Sequence, residues 1–189
     1  MEMLIVVALI SITAALAAPA LMNAMANRRA NEAQHSVVRI GAHGRSAAVA
    51  YGRAHTLTFV ESSSGTGGDY GTLELWRGIS DRCAENDWGT IITASCDTDR
   101  SCVESLDMGA YAFPTHRVQL RLMGATAGSI CFEPNGEQYF ASGGGLWSTT
   151  PPAGQDAVQF RVRRESRGTT TGTDRFVIFP FGATPRIDR

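Results

Sequence analysis

Between Met3 and Asn27 the chain carries no charged side chain. This run, which opens MLIVVALISI and continues TAALAAPALM, constrains the fold more than any other feature. About twenty residues, Met3 to Met22, cover roughly 30 Å as a helix, the thickness of a bilayer's hydrocarbon core. Backbone groups in lipid must bond within their own segment, so a lone span has to be helical. Leu4 to Ile12 supply most of the hydrophobicity. Pro19 frees one carbonyl and is expected to bend the helix. The pattern then continues beyond the span. Met22, Ala26, Ala30, Ala33, Val37, Ile40, Gly44, Ala47 and Tyr51 recur at steps of three and four, drawing one apolar stripe. Asn27, Arg28, Asn31, Glu32 and Gln34 lie mostly off it. Gly41 and Gly44 each weaken such a helix by about 1 kcal/mol relative to alanine, and mark places where it bends or packs closely. The expectation is one long helix, with residues 1–27 in a membrane, 28–52 as an amphipathic continuation, and 53–189 as the domain on which that continuation lies.

A secretory signal peptide cleaved after Ala15-Leu16-Ala17 is the rival reading. It calls for a basic amino-terminal region, whereas the only charge there is Glu2. It also calls for a compact domain after the cleavage point, whereas helical periodicity persists.

After Tyr51 the apolar period changes from 3.6 to 2. HTLTFV (55–60), TLELW (72–76), TIITA (90–94), RVQLRLM (117–123), SICFE (129–133), EQYFA (137–141), AVQFRVR (157–163) and DRFVIFP (174–180) read as strands. Half-buried antiparallel strands alternate in this way, so the expected class is α+β, with a β-sheet domain covering the helix stripe. The runs at 62–71, 142–154 and 166–174 are rich in glycine and hydroxyls and read as loops, and Pro-Asn-Gly at 134–136 as a turn. None matches a phosphate-binding loop.

Every one of the 17 basic residues is arginine, which excludes a Schiff-base or P-loop lysine. The formal charge of −1 argues against a general polyanion binder. It is unevenly spread, with residues 61–110 strongly acidic and both flanking segments mildly basic.

Cys83, Cys96, Cys102 and Cys131 allow three complete pairings. The preferred one joins Cys83 to Cys96 and Cys102 to Cys131, and Cys96 with Cys102 stands close behind it. Their spacing fits neither a structural zinc site nor a C-x-x-C redox motif. Asp81, Glu85, Asp87, Asp97, Asp99, Glu104 and Asp107 offer oxygen ligands. Asp97-Thr98-Asp99 begins like a calcium loop, but Cys102 and Met108 stand where its Gly and Glu are needed. Solvated loop acids are therefore expected, with no metal and no cofactor. His35, His43, His55 and His116 are scattered and read as structural or surface residues, so an enzyme is not expected. Arg161 and Arg163 share the strand face opposite Val158, Phe160 and Val162. With Arg164, Arg167, Arg175, Arg186 and Arg189 they form a candidate contact patch for nucleic acid or a partner protein, against the plainer reading of a solvated sheet face.

Glu2 before MLIVVALI, a proline seventeen residues later and a long amphipathic extension resemble the amino-terminal helix of type IV pilins and type II secretion pseudopilins. ICFEPNGEQYF and FVIFPFGATPRI resemble the strand-Pro-x-Gly-strand pieces of the GspH/FimT group. The middle, from about residue 61 to 112, supports no such match. The resemblance implies a pilin-like fold and a subunit anchored once in the inner membrane, with its carboxy-terminal domain in the periplasm. Its partners would be other pilin or pseudopilin subunits, packed through the helix. Glu2 would pair with a neighbour's terminal amine, and Pro19 would be the family's helix proline. The family's basic leader, cut by a prepilin peptidase before methylation of the new amine, is not in this sequence, so the chain is expected to start downstream of the true start or to have been trimmed. Arg28 and Arg29 alone would favour a cytoplasmic domain, and the leader reverses that. Within the family the resemblance leaves two roles: an H-type pseudopilin of protein secretion, and a FimT-like minor pilin linked to DNA uptake.

Overall fold

The computed structural model describes residues 2–60, 70–92, 96, 99–112, 116–125, 127–142, 147–149, 157–166, 169–170, 173–180 and 182–188. One helix, α1 (Glu2–Tyr51), runs unbroken through Pro19 and is 50 residues long, a length of about 75 Å. Its two halves have different surroundings. From Met3 (83% exposed) to Leu21 the large apolar side chains are exposed, whereas from Ala26 (2% exposed) to Ala48 the stripe is buried.

The rest is β-structure: β1 (His55–Val60), β2 (Thr72–Arg77), β3 (Cys102–Asp107), β4 (His116–Leu122), β5 (Ala127–Phe132), β6 (Gln138–Ser142), β7 (Ala157–Ser166), β8 (Thr169–Thr170), β9 (Arg175–Pro180) and β10 (Arg186–Asp188). They form two antiparallel sheets. Sheet A has the order β3-β2-β1-β5-β6, and sheet B the order β10-β9-β7-β4, with β8 hydrogen-bonded to β7. A single core joins them. Val37 and Ile40 of α1 pack with Leu57, Phe59, Leu73 and Phe132 of sheet A and with Leu120, Phe160 and Phe179 of sheet B. The sheets are also tied by backbone, since Leu120 N donates to Tyr70 O at 2.9 Å, just before β2.

Two glycines allow the helix to lie this close. A Cβ at Gly41 would run into the Phe179 ring, 2.8 Å from Cζ, and one at Gly44 would meet Leu75 at 2.9 Å and Phe132 at 3.0 Å. Close packing is therefore their role. Pro-Asn-Gly forms the expected turn between β5 and β6, closed by Gly136 N to Glu133 O at 3.0 Å, with Gly136 at φ 89°.

The α+β class and the helix packed on an antiparallel β domain are as expected, that domain being built of two sheets. Several expectations need correcting. The strand read at 90–94 is absent over its described part: Trp88–Ile91 forms a short helix, α2, whose start Asp87 caps by accepting from Thr90 N. Trp88 anchors it by donating from Nε1 to Cys83 O at 2.8 Å. A local cap and one buried indole outweigh the β-branched run. β3 was not anticipated, because its sequence CVESLD places Glu104 on the inward side. Tyr51 ends the stripe in sequence yet is 64% exposed, stacked on His55 with ring centroids 6.1 Å apart. Gln34, counted among the off-stripe residues, is buried and donates to Phe176 O at 3.2 Å.

Candidate functional site

The amino-terminal half of α1 is suited to an apolar surrounding even at its polar positions. Ser11 Oγ donates to Val7 O at 2.7 Å, and Thr13 Oγ1 donates to Ile10 O at 2.9 Å. Each hydroxyl in the span thus returns its proton to the helix backbone and asks nothing of the lipid. Glu2 heads α1, but its side chain lies outside the described residues.

The cysteines pair as Cys83–Cys131, with Cα atoms 6.0 Å apart, and Cys96–Cys102, at 5.2 Å. The preferred pairing of Cys83 with Cys96 and of Cys102 with Cys131 is therefore incorrect, and the alternative linking Cys96 to Cys102 is the one present. The cause is tertiary. Cys83 N donates to Glu133 Oε1 at 2.8 Å, one residue beyond β5, which fixes the Cys83 turn against the strand that carries Cys131. Around this bridge Ala54, Trp76 and Trp88 form a second, smaller core.

The arginine patch does not assemble as one surface. On the outer face of sheet B, Arg121 lies opposite Arg161, and Gln119 opposite Arg163. Asp174 holds this face. It accepts from Arg163 Nε at 3.0 Å and from Arg163 Nη2 at 3.1 Å, and lies 3.6 Å from Arg161 Nη1. The Arg163 hydrogen bond, then the charges of Arg163 and Arg161, hold the Asp174 carboxyl below the usual aspartate range. Arg164 points the other way, as does Arg175, which lies opposite the inward Val162. Arg164 Nη1 donates to Asn27 Oδ1 at 3.0 Å and to Asn23 O at 3.4 Å. Alternation shows why: Arg164 follows the inward Val162 by two residues. Arg186 sits on the edge strand β10; Arg167 and Arg189 lie outside the described residues. Beside Arg175, a cleft of about 890 Å³ opens between α1 and β9–β10, lined by Asn31, Gln34, His35 and Asp188 among others.

The acids of the middle segment serve structure where they are described. Glu104 accepts from Arg39 at 2.6 Å and lies 2.8 Å from His43 Nδ1, so β3 is clasped to the helix. Asp99 accepts from Ser101 N at 2.7 Å; Asp97 lies outside the described residues. Among the described residues no three His, Cys, Asp or Glu side chains gather to hold a metal ion. His35 lines the cleft beside Arg175. His55 is fully buried, its Nδ1 3.0 Å from Arg53 O, and burial holds it below the usual histidine range. His116, also buried, sits on the inward face at the same end of sheet B as Arg164, and sequence reasoning had left it unconnected to the arginines.

These features define an architectural class: a pilin-like arrangement, in which a long amino-terminal helix has a bare apolar half and a half packed on antiparallel sheets. That helix is long and apolar enough to cross a membrane once. No protein-family model, curated protein or solved structure matches the chain.

Proposed function

We propose that the chain is a minor pseudopilin: a subunit held in the inner membrane by α1 that joins a short periplasmic filament of a type II secretion system. The observation that carries the reading is the division of α1. One continuous helix has a half buried against the β domain and a half whose large apolar side chains, from Met3 to Leu21, stay exposed among the described residues. Bilayer lipid covers them before assembly, and the helices of neighbouring subunits cover them afterwards. Glu2, at the edge of an apolar helix, is costly unless answered, and a neighbour's terminal amine answers it. The work is mechanical, with no catalytic step. A FimT-like minor pilin for DNA uptake shares the architecture. It is the weaker reading because Arg161 and Arg163 are engaged by Asp174, and Arg164 and Arg175 face away from them.

Glu2→Ala, expressed from the native gene in its own cell, tests the reading. The variant should still fractionate with the inner membrane, and its β domain should remain open to protease in spheroplasts, while crosslinking into filaments falls sharply. Normal incorporation would reduce Glu2 to a helix-start residue. A carboxy-terminal reporter active only in the cytoplasm would overturn the topology.

A further inference from the structure

The turn that joins α1 to sheet A is closed by a histidine ring. α1 ends at Tyr51, Gly52 takes the left-handed φ of 62° common just past a helix end, and β1 starts at His55. His55 Nδ1 lies 3.0 Å from the Arg53 carbonyl oxygen. An oxygen acceptor there means that Nδ1 carries the proton and donates it across the turn. Nε2 is then the bare nitrogen. It is buried and has no hydrogen-bond partner among the described residues. Tyr51 stacks on the ring from the last turn of the helix. Ala54 N donates to Ser80 O at 2.9 Å and Gly78 N to Ala54 O at 2.8 Å, tying the turn to the segment after β2.

A neutral ring fits this place and a charged one does not. Protonation would put a second N–H, and a full charge, into the core with no acceptor to meet them. Within sheet A, His55 pairs with Arg77 of β2 and with Phe132 of β5, so a cation and an apolar ring share its face. The neighbouring acids are committed elsewhere. Glu133, the residue after Phe132, turns to the other face and accepts from Cys83 N. Glu104 of β3 is held by Arg39 and His43 of the helix. Burial, ahead of every other influence, holds the ring below the usual histidine range. The Arg53 carbonyl opposes this, and the charges of Arg77 and His43 reinforce it.

We propose that His55 is an acid-sensitive latch between α1 and sheet A. Neutral, it closes the turn at Arg53; charged, it leaves the core and frees the last turns of α1 from β1. α1 carries the whole β domain, so the latch sets how firmly that domain is seated on its helix. The inference stands on the junction of α1 and β1 and is independent of the role proposed above. A histidine barred from charging while the latch is closed adds stability that is complete above the unfolded pKa, near 6.5. That stability is lost as pH falls from there toward the lower folded value. Between pH 7.5 and 5.5 the opening of the junction should rise about tenfold.

Hydrogen–deuterium exchange of the full chain in neutral detergent micelles, corrected for the intrinsic rate at each pH, reads this opening. Protection at Ala54 and Gly78, and from Ala47 to Tyr51 of the helix, should fall about tenfold between pH 7.5 and 5.5. The ladder around the paired Phe160 and Val177 of sheet B should change little over the same range. His55→Phe, which keeps a ring beside Tyr51 and cannot charge, should make the junction indifferent to pH. His43→Gln and His116→Phe should leave the response in place. A wild-type junction whose protection is flat in pH overturns the latch. So does a fall shared equally by β7 and β9, which is general acid unfolding. A response that survives His55→Phe, or disappears with His43→Gln or His116→Phe, gives the titration to another group and overturns it as well. The wild-type comparison of junction and sheet B decides without any substitution, so a variant that fails to fold leaves the test intact.

Discussion

Gly41→Ala measures how closely α1 lies on sheet B. In an exposed stretch of helix the change would stabilise by about 1 kcal/mol, since alanine is the better helix former. Here the added Cβ meets the Phe179 ring, 2.8 Å from Cζ, and Pro185 Cγ at 3.2 Å. The ring has little room to withdraw. Phe179 is edge-on to Phe160 with centroids 5.3 Å apart, and Phe160 is edge-on to Phe59 at 5.7 Å. Overpacking of this kind costs about 1–3 kcal/mol, so the net effect is a loss of about 1 kcal/mol. For a chain of this size that lowers the melting temperature by about 2–4 °C. Denaturant unfolding of the detergent-solubilised chain, followed by the fluorescence of the buried Trp76 and Trp88, reads the change. In a Phe179→Leu background the cost should vanish or reverse, giving a coupling of at least about 1 kcal/mol. A Gly41→Ala protein stabilised by the full propensity gain, with no coupling to position 179, would refute the close approach of the helix.

Peptide mapping of the unreduced chain should recover Cys83 joined to Cys131 and Cys96 joined to Cys102. Breaking the first pair, with 48 residues of separation, should cost about 4 kcal/mol, against about 2 kcal/mol for the second, with 6; equal losses would contradict the loop-length argument. Asp174 titrates below its ordinary value when folded. Its contribution is therefore complete above the unfolded aspartate pKa, near 4, and is lost as pH falls through the lower folded value. Asp174→Asn should remove about 0.2–1 kcal/mol at neutral pH and flatten the stability profile below about pH 4. A profile unchanged by the substitution would show that Arg161 and Arg163 do not hold that carboxylate in solution.

The helix could be read from the sequence because its information is local. An uncharged run and a stripe at steps of three and four need no knowledge of the partner, and α1 appears with its buried positions largely as spaced. β4 and β7 were legible for the same reason, since alternation with period two states which side is inward. That rule also assigns Arg164 to the inward face with Val162, a signal the grouping of arginines by proximity in sequence overlooked. Arg175 is different, because its facing depends on the cross-strand register with Val162, which no single segment contains. β3 was hidden because Glu104 occupies an inward position, acceptable only once α1 brings Arg39 and His43 to it. The disulfide partners were equally out of reach. Cys83 meets Cys131 because a turn in the acidic middle docks on the end of β5 through Glu133, across 50 residues of intervening chain. Periodicity fixes which face of an element is apolar. Which elements meet, and therefore which cysteines bond and which charges gather, is set by long-range packing that only the assembled core of α1 and two sheets provides.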